Sequence, residues 1–96
     1  MTGKIKQERG RGNVFADLGF PPAEAHNLAL RAELASRIRQ SAKGLTQAEA
    51  ARRFGVTQPR INDLLRGKLD KFSLDALVNM LGKAGLRVAF QVRKAA

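Results

Sequence analysis

Between Leu45 and Gly67 the chain reads LTQAEAARRFGVTQPRINDLLRG, and the helix starts and stops within it restrict the fold more than any other stretch. Thr46 followed three residues later by Glu49 is a capping box: the hydroxyl accepts from a first-turn amide and the carboxylate reaches back. Ala48, Ala51 and Phe54 then fall on one inner face, and Ala50 or Ala51 is small enough for close helix approach. Gly55 supplies the left-handed residue that ends this first helix. Val56 is expected to be the buried turn residue that sets the crossing angle. Thr57 caps a second helix, with Gln58, Pro59 and Arg60 in its first turn and Ile61, Leu64 and Leu65 pointing inward. Gly67 stops it. The stretch therefore predicts two short helices joined by a tight turn, the second with a polar and basic outer face.

The remaining sequence supplies what these helices pack on. Residues 1–12 are rich in Gly and charge, with Lys4, Lys6, Arg9 and Arg11 against Glu8, and read as a flexible basic N-terminal arm or as a terminus without a role. Val14, Phe15, Leu18 and Phe20 form a short apolar cluster before a Pro pair. Pro22 suits a first helical position, and Glu24 suits a first turn. Leu28, Ala32, Ala35, Ile38 and Ala42 recur at helical spacing, Leu30 and Leu34 widen the stripe, and Gly44 ends it. Ser73 caps a further helix, with Asp75 in its first turn and Leu74, Leu77, Val78 and Leu81 as its apolar face. From Leu86 to Arg93 the period changes to two: Leu86, Val88, Phe90 and Val92 lie on one side. That is the pattern of a half-buried β-strand. A lone strand cannot satisfy its own backbone. Pairing with the same strand of a second copy about a two-fold axis is the expected solution. A frayed tail, or pairing near Val14, are the alternatives.

With 96 residues the chain is expected to form one domain with one modest core. Lys and Arg number 18 against 8 Asp and Glu, a formal net charge of +10. Such an excess attracts polyanions. Nucleic acid is the first candidate, an anionic membrane surface the second and an acidic protein the third. Location decides among them. From Arg37 to Lys71 nine basic residues face three acids, leaving +6 on the segment that carries the two short helices. The absence of cysteine excludes disulfides, thiolate metal sites and Cys nucleophiles, and agrees with a cytoplasmic setting. The N-terminus has no apolar core of a signal peptide, and no apolar run is long enough to span a membrane. An enzyme is not expected. His26 is the only histidine and stands without an acid or nucleophile pattern, and neither a phosphate-binding glycine loop nor a metal constellation is present. No cofactor is predicted.

The segment resembles the lambda-repressor/Cro-like, or XRE-family, helix-turn-helix. The residues that carry the resemblance are Thr46-Gln47, Ala51, Gly55-Val56, Ile61 and Leu64, closed by Arg66-Gly67-Lys68. The wider pattern, from Asn13–Phe20 to Phe72-Ser73-Leu74 and the terminal strand, looks like a subgroup that includes HigA-type antitoxins. The resemblance implies an all-α, four- to five-helix domain over residues 13–85. Residues 86–96 add a C-terminal strand and tail for dimerisation through Leu86, Val88, Phe90 and Val92. It also implies roles on DNA. Gln47, at the start of the bracing helix, matches a phosphate-contacting position. Thr57, Gln58, Arg60, Asn62 and Asp63 match outward positions of the recognition helix. Gln58 suits adenine N6/N7 and Arg60 suits guanine O6/N7, because their forks fit those edges. Asn62, Arg66 and Lys68 suit phosphates. Pro59 departs from the polar residue of phage repressors and offers only apolar contact, as with a thymine methyl. Asp63 either reads cytosine N4 or holds Arg60 or Arg66.

The function these observations point to is a sequence-specific transcriptional regulator, a dimeric repressor on a palindromic operator. An antitoxin of a toxin–antitoxin operon, binding a cognate toxin protein, is the extension by resemblance. A non-specific architectural DNA-binding protein and a protein-interaction module are the competing classes.

Overall fold

A computed structural model describes residues 22–94 of the chain. The basic arm and the apolar cluster at 13–20 lie outside them. Among the described residues four α-helices follow one another: α1 Pro22–Ser41, α2 Gln47–Phe54, α3 Gln58–Leu65 and α4 Leu74–Lys83, with a 3-10 turn at Leu69–Lys71 between α3 and α4.

The helices α2, α3 and α4 each begin at the chemistry their sequence supplies. The Thr46 hydroxyl oxygen accepts from the Glu49 amide at 3.1 Å, and Glu49 Oε1 accepts from the Thr46 amide at 2.8 Å, completing the capping box. Thr57 and Ser73 accept from the amides three residues on in the same way. Gly55 adopts φ +69°, and the amides of Gly55 and Val56 return to carbonyls of the last turn of α2. This left-handed residue reverses the chain in three residues, Gly55 to Thr57, so α2 and α3 meet with no slack between them.

The core is one apolar cluster. Leu34, Ile38, Phe54, Ile61, Leu64 and Leu77 are fully buried, with Ala35, Ala50, Ala51, Phe72, Met80 and Leu81 around them. α1 packs along α4 and α2 on α3, while α2 also rests on α4 and α3 on α1. Ala50 and Ala51 are both buried, which brings the backbone of α2 close to its neighbours. Several positions differ from the expected core. Val56 is half-buried and packs on the cluster without entering it, while Phe72 and Met80, outside the expected stripes, are buried.

The predicted C-terminal strand is not present. Residues 86–94 form no strand, and only Ala89 makes an isolated β-bridge. The expected shared face is not present either: Val88 packs against the core, whereas Leu86, Phe90 and Val92 are exposed, Val92 by 98%. A period-two pattern sets neither the face a segment buries nor an extended ladder, and a strand requires a run of paired residues.

The capping box carries a pH signature. The Thr46 amide hydrogen bond holds the Glu49 carboxyl below the usual carboxylate range; partial desolvation opposes this, and the Thr46 hydroxyl and Arg52 reinforce it. A folded-state value below the unfolded one stabilises the fold above the unfolded pKa, about 4.3. That contribution is lost as pH falls through the folded value. Urea midpoints measured at pH 6 and pH 3 should therefore converge between wild type and Glu49→Gln as the solution is acidified. Parallel losses in the two proteins would show that the carboxylate charge contributes nothing.

Candidate nucleic-acid interface

With Ile61 and Leu64 buried, the geometry of α3 assigns the opposite side. Positions four and three apart stack on one helix face. Pro59, Asp63 and Arg66 form one such row, and Gln58 and Asn62 the adjoining one. Gln58, Pro59 and Arg66 are exposed, and Asn62 and Asp63 are half-buried. The outer face of α3 is thus a strip of four polar side chains, interrupted by the apolar ring of Pro59, with an apolar core behind it.

Gln47, the first residue of α2, reaches this strip: its Nε2 donates to Asn62 Oδ1 at 3.3 Å. The bond ties the outer edges of the two helices together. Thr57 is exposed, and its hydroxyl oxygen accepts from the Arg60 amide at 3.4 Å. Arg66 closes α3, and Gly67 follows at φ +81°.

Two side chains sit differently from the expectation. Arg60 leans off the outer strip. Its guanidinium lies 4.3 Å from the centroid of the buried Phe72 ring, and Nη1 donates to the Lys71 carbonyl at 3.0 Å. Asp63 pairs with neither Arg60 nor Arg66. Its Oδ1 lies 3.7 Å from Lys68 Nζ and its Oδ2 lies 3.4 Å from Lys71 Nζ.

The turn that carries Lys68 and Lys71 is fastened from two sides. From α1, Arg31 Nη1 donates to the carbonyls of Leu69 and Phe72 at 3.1 and 3.2 Å, while its Nε donates to Asn27 Oδ1 at 2.7 Å. From α3, Arg60 takes the Lys71 carbonyl. Neither Arg31 nor Lys71 is singled out by sequence reasoning. Arg31 sits within an apolar stripe, and the carbonyls it serves lie 38 and 41 residues away. Lys71 contributes to the basic count but has no spacing that links it to Asp63 before the turn is seen.

No group of three or more potential metal-ligating side chains occurs among the described residues, and no described helix is long and apolar enough to cross a membrane. The model of a helix-turn-helix domain family matches residues 14–93. No curated protein matches the chain. The match spans most of the chain, so the protein belongs to this helix-turn-helix family, a DNA-binding class.

The position of Arg60 makes a prediction. A cation over an aromatic face and a charge-assisted bond to a carbonyl together stabilise by about 1–2 kcal/mol at a half-buried site. Arg60→Ala should lower the unfolding free energy by that amount in urea titration. An unchanged midpoint would show that the guanidinium contributes nothing to the fold.

Proposed function

We propose that the protein is a sequence-specific DNA-binding transcriptional regulator, a repressor acting as a homodimer on a palindromic operator. The observation that carries this reading is the outer strip of α3. Gln47 on α2 bonds to Asn62 on α3, which places both side chains at one margin of that strip. A rigid polar strip with Gln58 at its leading end is what major-groove readout uses, and Gln suits adenine N6/N7. Gln47, Arg66 and Lys68 serve phosphates at its margins. The charge of +10 adds sequence-independent attraction.

Two arguments support a second copy. One recognition helix reads only a few base pairs, so useful specificity needs two half-sites about one helical turn apart. The apolar side chains Leu86, Phe90 and Val92 are exposed on the described protomer. A cytoplasmic setting and the absence of catalysis belong to the same reading. The XRE-type assignment and the antitoxin role, with a cognate toxin as partner, rest on the resemblance of residues 13–20, 45–68 and 72–74.

Selection from random duplexes followed by titration at ~0.15 M salt tests the central claim. Specific binders reach about 10³-fold or more over scrambled DNA. A ratio below about tenfold would replace the regulator by a non-specific coating protein. The dimer is tested separately by mass in solution. At micromolar concentration the full chain should weigh two protomers, and deletion of residues 86–96 should reduce it to one. A monomeric full chain would remove the dimer.

A further inference from the structure

We infer that Asp63 is a specificity-determining residue, reading a cytosine through its exocyclic amine while Lys68 and Lys71 cancel its charge against the DNA backbone. The inference rests on the DNA-binding reading and goes beyond it by assigning Asp63 a base and its two lysines a role.

An acid on the groove-facing side of a basic recognition helix is unfavourable by itself, because phosphates surround the groove. Here the cost is compensated locally. Each carboxylate oxygen has its own ammonium, Oδ1 with Lys68 and Oδ2 with Lys71. The carboxylate is 26% exposed and the two lysine side chains 45% and 49% exposed. Half-exposed ammoniums keep further N–H donors for phosphate oxygens, and exposed pairs of this length are weak. The carboxylate can therefore exchange one lysine for a base edge without leaving a buried charge unpaired.

Arg31 and Arg60 hold the carbonyls of Leu69, Lys71 and Phe72, so the backbone of the turn is fixed beside the C-terminal half of α3 and both lysines start from there. The cluster carries one net positive charge, enough to meet a phosphate while the acid faces inward to the bases.

Chemistry selects the base. A carboxylate only accepts hydrogen bonds, so it needs a major-groove donor. Guanine offers N7 and O6 and thymine O4, all acceptors, and both are repelled. Adenine N6 donates, but the adjoining N7 lone pair faces the second carboxylate oxygen. Cytosine N4 donates with no acceptor of its own beside it. The row also places the exposed Pro59 one turn before Asp63.

Selection from random duplexes with wild type, Asp63→Asn and the double variant Lys68→Ala/Lys71→Ala tests this. Thermal unfolding of each confirms that it is folded. Wild type should prefer cytosine at one position of each half-site by about tenfold. Asp63→Asn should lose that preference and turn toward adenine, whose N6/N7 edge fits an amide. The lysine variant should bind more weakly with a shallower salt dependence, yet keep the same preferred base. A selected motif that is unchanged in Asp63→Asn would overturn the inference and leave the regulator reading intact. No selected motif for wild type would overturn the regulator reading itself.

Discussion

The burial of Phe54, Ile61, Leu64 and Phe72 between α1 and α4 is the constraint on which everything else depends. α2 and α3 have eight residues each, too short to persist alone in water. Their capping bonds set where each helix begins, but a cap contributes only about 1 kcal/mol. Persistence comes from the apolar face, where each fully buried Leu, Ile or Phe contributes roughly 1.5–3 kcal/mol. Because one cluster takes side chains from all four helices, α2 cannot shift against α3 without opening the core. The left-handed Gly55 removes the remaining freedom at their junction. The outer strip of α3 inherits its rigidity from this packing and needs none of its own.

A second layer of order lies outside the core and is polar. Arg31 and Arg60 are long, amphipathic side chains that lay their stems along the domain and spend their donors on backbone carbonyls. The carbonyls they satisfy belong to the short turn after α3, a segment with only one 3-10 turn of its own hydrogen bonds. Phe72 links the layers. Its ring is buried in the cluster, its carbonyl accepts from Arg31, and its face receives the Arg60 guanidinium. Arg60 is therefore a strut between α3 and the following turn. Contact with a guanine would require it to leave the aromatic face, which Gln58 and Asn62 need not do.

Local chemistry in the sequence is legible because its partners are close. Thr46 with Glu49, Thr57, Ser73, Gly55 and Gly67 act within a few residues, and each lies where its spacing places it. Ile61, Leu64, Leu34 and Leu77 follow the helical period and are buried as that period implies. Long-range chemistry is not legible in the same way. The Arg31 contacts cross the whole domain, and the partners of Asp63 depend on how the chain turns after Gly67. Phe72 lies in extended backbone between two helices, where no period marks a residue as core. The strand at 86–93 illustrates the opposite limit. The alternation is present in the sequence, yet pairing is a property of two segments, and one segment cannot encode it.

The acid at position 63 bears on the choice between coating DNA and reading it. A protein selected only to coat DNA gains affinity from every added cation and loses it with every acid on the contact face. Such a protein has no use for a carboxylate between Pro59 and Arg66. Nor has it reason to assign two lysines to cancel that carboxylate while an arginine on each side steadies their turn. Specificity is different, because it is a difference of affinities and grows when the wrong partner is repelled. A compensated carboxylate lowers general affinity little and raises the cost of guanine and thymine at one position. On the proposed reading the arrangement around Asp63 is thus better suited to discrimination than to attraction, and the excess charge elsewhere on the chain would supply the attraction.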